Sequence, residues 1–253
     1  MQNNEQNNAG NIICGRNPVL EAVRSGREID RLLVAHGASG GSVTAIIAKC
    51  KAKGVLIKEI SPQKLDYYCG GANHQGVAVM LASQEYSTVD DIFALADKRQ
   101  EKPFIIICDE LEDPHNLGAV IRTAEATGVH GVIIPERRSA SLNATVAKAA
   151  CGALEYVPVA RVTNIAATIE ELKKRGVWVF GADMDGEDYT KTDFDGPCAI
   201  VIGNEGKGIG TLTAKRCDGI VSLPMAGKIN SLNASVAAGV LMYEVVRKRG
   251  NKE

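Results

Sequence analysis

Six stretches in the second half of the chain read as continuous apolar runs: "FIIICDE" from Phe104, "HGVIIP" from His130, "EYVPVA" from Glu155, "VWVFGAD" from Val177, "CAIVIG" from Cys198 and "GIVSLP" from Gly219. A strand with one wet face alternates apolar and polar residues. Runs without alternation are buried on both faces, as in a parallel sheet covered by helices on either side. The segments between them repeat apolar residues at helical spacing. The second half therefore predicts an α/β domain with a mostly parallel sheet.

The first half alternates on a smaller scale. "PVLEAVRSG" predicts a helix, "DRLLVAH" a strand, and "SVTAIIAKCKAKG" a helix with Ser42 as N-cap and Gly54 as its stop. A strand "VLIKEI", a short helix after Pro62 and a strand "GVAVML" follow. The boundaries expected are a disordered polar tail over 1–10, a small α/β domain over 11–82, a linker over 83–100 and the larger domain over 101–253. The linker holds a helix around Val89–Asp97, but its mixed charges ("ADKRQEK") read as a solvated connection.

Of the residues, 45% are hydrophobic, enough for real cores in both domains. The formal net charge is −1, so any nucleic-acid contact has to come from a local patch. Aromatics are 4%, too few for an extended base-stacking platform. The 7 cysteines are odd in number, form no C-x-x-C pair and mostly sit in apolar runs, which reads as buried, reduced thiols in a cytoplasmic protein. The 4 histidines lack metal-ligand spacing, so no metal is expected. The start "MQNNEQNNAGN" has no signal-peptide pattern and no apolar run approaches a membrane span, so no membrane partner is expected.

Three segments carry chemistry. In "DELEDPHNLGAVIRTAEATG" a strand ends, a proline turn follows and a helix starts near Asn116, a natural N-cap. Arg122 lies on that helix among small and apolar residues, with Gly118 one turn before it leaving open space beside the guanidinium. Such an arginine has a carboxylate or phosphate partner; a structural pair with Glu125 is the plainer alternative. In "IVIGNEGKGIG" a buried strand enters a glycine-rich turn holding Glu205 and Lys207. It has neither the spacing nor the hydroxyl of a P-loop, and no G-x-G-x-x-G fingerprint.

The third segment, "LPMAGKINSLNASVAAGVLMYEV", runs from a strand end into a helix whose buried face is expected from Val236, Ala237, Val240, Leu241 and Val245. Either Asn230 or Ser231 is expected to cap it. One cap needs one such residue, and the surplus of Asn230, Ser231, Asn233 and Ser235 suggests a ligand surface at a positive helix terminus. "SLNASVA" at 231–237 echoes "SLNATVA" at 141–147, which reads first as two helices starting in the same way.

Taken together, "NLGAVIRTAEATGV", "VIGNEGKGI" and "LPMAGKINSLNASVAAGVLMYEV" resemble the three signature motifs of the SpoU (TrmH) family, the RNA ribose 2′-O-methyltransferases of the SPOUT superfamily. The likeness spans Phe104–Arg249. The N-terminal unit resembles the small ribosomal-protein-like domain of the rRNA-modifying branch, whereas the tRNA-modifying branch has short terminal extensions in its place. The resemblance implies a deep trefoil knot in the C-terminal α/β domain, with S-adenosylmethionine held by Gly203, Leu223 and Leu232, and by Ala182, Met225 and Ser231. It implies Arg122 as the central catalytic residue, with Asn116, Glu205, Ser231 and Asn233 at the other motif positions. Asn116 and Asn233 would position Arg122 or the RNA, and Glu205 would orient Arg122 or take a proton through water. The implied partners are a second copy of the chain and 23S rRNA or its precursor, not DNA, with a guanosine ribose as target. A tRNA ribose or an rRNA adenosine is the alternative target, and a non-catalytic RNA-binding dimer the alternative of another class. Arg137 and Arg138 are the expected RNA phosphate contacts.

Overall fold

The computed structural model describes residues 12–25, 27, 29–81, 85–228 and 231–250. The expected disordered tail, the first two residues of the expected linker and the cap candidate Asn230 lie outside them. The chain divides into two compact units, one over Met1–Glu85 with Ser141–Ala144, the other over Tyr86–Ala140 and Thr145–Glu253.

The first unit runs β1 (Ile12–Cys14), α1 (Arg16–Arg24), β2 (Ile29–Ala35), α2 (Gly41–Ala52), β3 (Leu56–Ile60), α3 (Pro62–Tyr68) and β4 (Val77–Leu81). Its sheet has the order β1-β4-β2-β3, parallel between β2 and β3 and antiparallel elsewhere. Successive side chains of a strand point to opposite faces. Leu32 and Val34 of β2 accordingly join one core with Val19, Ile46 and Val79, while Leu33 and Ala35 join another with Leu65 and Cys69. β1 is too short to leave a periodic signal in the sequence. Gly40 occupies the N-cap of α2 in place of Ser42, whose hydroxyl instead accepts from the Arg16 guanidinium at 3.2 Å.

The second unit opens with α4 (Val89–Arg99). This helix is not a linker. Its Ile92 is fully buried in the core with Ile105, Ile107 and Ile133, and a Cβ on Gly131 would stand 2.4 Å from Ile92. The charges that suggested a connection lie on its wet side. Then follow β5 (Phe104–Cys108), α5 (Pro114–Ala126), β6 (Gly131–Pro135), α6 (Ala144–Ala150), β7 (Val159–Val162), α7 (Ile165–Lys174), β8 (Trp178–Asp188), β9 (Cys198–Ile202), α8 (Thr211–Arg216), β10 (Gly219–Ser222) and α9 (Ala234–Gly250). The six strands form a sheet of order β10-β8-β9-β5-β6-β7, parallel at every pairing.

Two features of this sheet position the site. Strand order reverses between the central neighbours β5 and β9, and open α/β sheets bind ligands near such a point, at the carboxyl ends of the strands; here a cavity lies on the β9 side, at the ends of β8, β9 and β10. The second feature is a bulge. Along β10 the β8 partner jumps from Gly181, opposite Ile220, to Glu187, opposite Val221. Residues 182–186 are thereby left without a β10 partner, although Ala182 still pairs with Ile202 of β9.

At the far end of α9, Arg249 donates to the carbonyls of Lys102 (3.0 Å), Pro103 (3.1 Å) and Gly196 (2.8 Å) and lies over the Phe104 ring at 5.3 Å. Nearby, the wholly buried His130 accepts from Phe104 N through Nδ1 at 3.0 Å, so its proton is on Nε2, facing Glu101 Oε2 at 3.0 Å. Burial pushes the imidazole pKa down, against the opposing pull of Glu101. In the unfolded chain the ring titrates near its ordinary value of about 6.5. A group with a lowered native pKa binds its proton more readily when unfolded, so the stability it confers is full above that value and lost as pH falls below it. Urea melts at pH 7.5, 6.5 and 5.5 should show a falling midpoint, with the dependence flattened in His130→Gln; an equal slope in both proteins would remove His130 as its cause.

Candidate functional site

The loop leaving β5 is tied to the one leaving β9. Asp109 N donates to Ile202 O at 2.8 Å, and Asp109 Oδ2 accepts from Gly210 N at 2.9 Å. Asn204 Nδ2 donates to Glu110 O at 3.1 Å. Within the β9 loop, Asn204 and Gly208 exchange backbone hydrogen bonds of 3.0 and 2.8 Å. The turn closes so tightly that a Cβ on Gly203 would stand 2.2 Å from Gly208 C; only glycine fits.

Asp113, not Asn116, caps α5, accepting from His115 N at 2.8 Å with Pro114 in the first turn. Asn116 is released from that duty and is buried one turn in. Its Nδ2 donates to Glu205 Oε1 at 2.6 Å. Asn233, immediately before α9, acts as its cap in place of Ser231: Oδ1 accepts from Ser235 N (3.0 Å) and Val236 N (3.3 Å). Its Nδ2 turns the other way and donates to Asn116 Oδ1 (2.9 Å) and Glu205 Oε1 (2.6 Å). The three segments thus meet in a closed ring of two amides and one carboxylate. Hydrogen bonds to a charged acceptor are the stronger kind, and each member leaves its partners unsatisfied if removed.

Beside the ring lies a cavity of about 420 Å³. Its floor is apolar, from Ile202, Val221, Ala234 and Ala237, and its rim carries Asp183, Asp185, Glu205 and Lys207. The six residues expected to hold a cofactor, Ala182, Gly203, Leu223, Met225, Ser231 and Leu232, all line it. Of the expected catalytic residues, Glu205 and Ser231 line it too, and Asn116 and Asn233 hold Glu205 rather than Arg122. Both copies of the S-L-N-A echo precede a helix, α6 and α9, but only the second borders the cavity.

Arg122 stands apart. It is exposed, does not line the cavity, and donates to Cys151 Sγ at 3.5 Å. Among the described residues it has no carboxylate partner, Glu125 included. The open space expected beside Gly118 is filled: a Cβ there would stand 2.4 Å from Ala149 Cβ, so α5 presses directly on α6. Arg138 is paired with Glu110 at 2.8 Å, whereas Arg137 is exposed with no ion pair among the described residues. Of the cysteines, Cys151 is exposed, contrary to the expectation of buried thiols, while burial pushes Cys108 up to about 12 and Cys198 to about 11. No group of His, Cys, Asp or Glu among the described residues could hold a metal ion, and no helix there could cross a membrane.

Sequence reasoning misses Asp183 and Asp185, which reach the rim only through the β8 bulge, and the anchors Asp109 and Asn204. The one hint of the bulge is the turn-like composition of "DMDGED" at a strand end. The expected buried face of α9 is also corrected. Val236 and Val240 are 51% and 37% exposed and align with Tyr243 at 55% exposed, while Ala238, Leu241, Met242 and Val245 face inward.

Residues 103–243 match the family model described as SpoU rRNA Methylase family, and residues 12–87 match RNA 2′-O ribose methyltransferase substrate binding. A Bacillus subtilis (strain 168) protein named as a putative TrmH family tRNA/rRNA methyltransferase is 50% identical over 238 residues, 94% of this chain and 95% of the relative. Among solved structures, an AdoMet-bound rRNA methyltransferase from Sinorhizobium meliloti is similar with a TM-score of 0.58 and 28% identity, over 94% of this chain and 87% of that one. A TrmH/SpoU tRNA modifying enzyme of A. aeolicus is similar with a TM-score of 0.56 and 29% identity, over 60% of this chain and 78% of that one.

Proposed function

The chain belongs to the SpoU rRNA methylase family of S-adenosylmethionine-dependent RNA methyltransferases, and on that premise we propose that it methylates the ribose 2′-hydroxyl of a guanosine in 23S rRNA or its precursor. The observation that carries the reading is the Asn116–Glu205–Asn233 ring, which ties the first motif segment to the two that line the cavity. The cavity suits the methyl donor: an apolar floor for an adenine, a glycine loop that lets backbone approach closely, and carboxylates for cationic groups. Bound there, S-adenosylmethionine supplies an electrophilic methyl group. The chain must then hold a ribose oxygen in line with it and ease the loss of the hydroxyl proton. Alignment contributes about 7 kcal/mol or more in favourable cases.

Arg122 binds the phosphate next to the target ribose and stabilises the emerging alkoxide; a guanidinium is a poor base, with a pKa above about 12. Asn116 and Asn233 fix Glu205 by one oxygen, and its Oε2 is left to take a proton through water. Arg137 is a phosphate contact, and Arg138 secures the β5 loop through Glu110. Arg122 reaches a cavity only across a homodimer, and the exposed stripe Val236, Val240 and Tyr243 is a suitable seam for one. The trefoil knot, formed by the loops after β9 and β10 and the start of α9, and a cytoplasmic location belong to the same reading.

The preference for rRNA rests on the N-terminal unit. The S. meliloti rRNA enzyme aligns over 94% of this chain, while the A. aeolicus tRNA enzyme aligns over 60%. Radiolabelled methyl transfer to 23S rRNA fragments and to tRNA, followed by mapping of 2′-O-methyl sites, tests the proposal. Label in a guanosine of 23S rRNA is expected; label confined to tRNA or placed on an adenosine would replace it.

A further inference from the structure

The β8 bulge gives one wall of the cavity a feature that the motif segments do not account for. Asp183 and Asp185, both within the bulged segment, line the cavity. Asp185 is exposed, but Asp183 is half-buried. Asp183 Oδ2 lies 3.0 Å from where a Cβ on Gly208 would stand, so it is wedged against the glycine loop and a larger residue at 208 would displace it. Among the described residues no donor and no cation reaches Asp183. Glu205, by contrast, already has two amides on one oxygen. The single cationic side chain bordering the cavity, among the described residues, is the exposed Lys207.

Asp183 is partly open to solvent. A ligand that fills the cavity removes that solvent, and a carboxylate that loses it must gain a positive partner or pay for its desolvation. S-adenosylmethionine carries a sulfonium charge that its demethylated product, a neutral thioether, lacks. The two are otherwise alike in adenosine, ammonium and carboxylate. We propose that Asp183 discriminates the charged methyl donor from the spent product, favouring the sulfonium form and speeding product release. The proposal rests on the reading that this cavity holds the methyl donor.

Calorimetric titration of the full chain with S-adenosylmethionine, S-adenosylhomocysteine and sinefungin, which carries an ammonium in place of the methylsulfonium, provides the test. In Asp183→Asn, an isosteric change, the two charged ligands should bind about tenfold more weakly while S-adenosylhomocysteine stays within about twofold. Asp183→Glu, which keeps the charge, should retain most of the discrimination, and Asp185→Asn should alter it less than Asp183→Asn. Equal weakening of all three ligands in Asp183→Asn would make Asp183 a contact for a shared group and overturn the proposal, as would unchanged binding of all three. Wild-type protein that binds none of them would end the reading of the cavity itself, a result distinct from either.

Discussion

Arg122→Ala is expected to lower methyl transfer by about 10³-fold and to leave S-adenosylmethionine affinity unchanged. The second half of that expectation follows from placement. Arg122 is exposed on α5, borders no part of the cavity within its own chain, and has a thiol as its hydrogen-bond partner. Its charge is not paired with any carboxylate among the described residues, which leaves it available for the phosphate or developing alkoxide of the proposed reaction. Arg122→Lys should not restore activity, because an ammonium lacks the planar fork that grips a phosphate by two parallel bonds. Methyl incorporation into rRNA and calorimetry with the cofactor measure the two halves separately. Full activity in Arg122→Ala would end the catalytic assignment; lost cofactor binding would move Arg122 into the cofactor site.

Mixing two dead variants should revive the enzyme. If the working arginine comes from the mate, Arg122→Ala has a sound cavity and no arginine to offer, while Gly203→Ala offers the arginine but has a spoiled cavity. The second variant follows from the β9 turn, where a Cβ would stand 2.2 Å from the backbone of Gly208. A mixed dimer then contains one complete site. Random reassortment of equal amounts makes half the dimers mixed, so about a quarter of wild-type activity should return. An arginine acting within its own chain gives no revival at all. Size-exclusion chromatography with light scattering should report a dimer for both variants, and Val240→Glu on the exposed seam should shift it towards monomer.

How far the sequence reached depended on the kind of signal. The parallel sheet was legible because six apolar runs without alternation suit strands covered on both faces and little else. The glycine turn at Gly203 was legible because its residue types are costly anywhere else. What stayed hidden required knowing which of several competent residues is used. Asn116 and Asp113 can both cap α5, as Ser231 and Asn233 can α9, and only tertiary contact with Glu205 decides between them. Val236 and Val240 fit a buried face as well as an outer seam, because helical spacing reports a stripe without saying what covers it. The charges around Asp97–Arg99 hid a core helix, since a solvated face and a linker have the same composition. The Asp183 bulge is a register shift, which leaves almost no local trace.

The bonds from Arg249 to Lys102 and Pro103 join residues 147 and 146 positions apart. Contacts so distant along a chain form slowly, since the intervening polymer must first be confined. The central strands can pair before α9 docks, whereas the amide–carboxylate ring, whose Asn233 sits at the head of that helix, cannot close until it has. Competence to act on RNA is thus expected to be the last property this polypeptide acquires as it matures, with a half-finished molecule already possessing its sheet while lacking the grip on its cofactor.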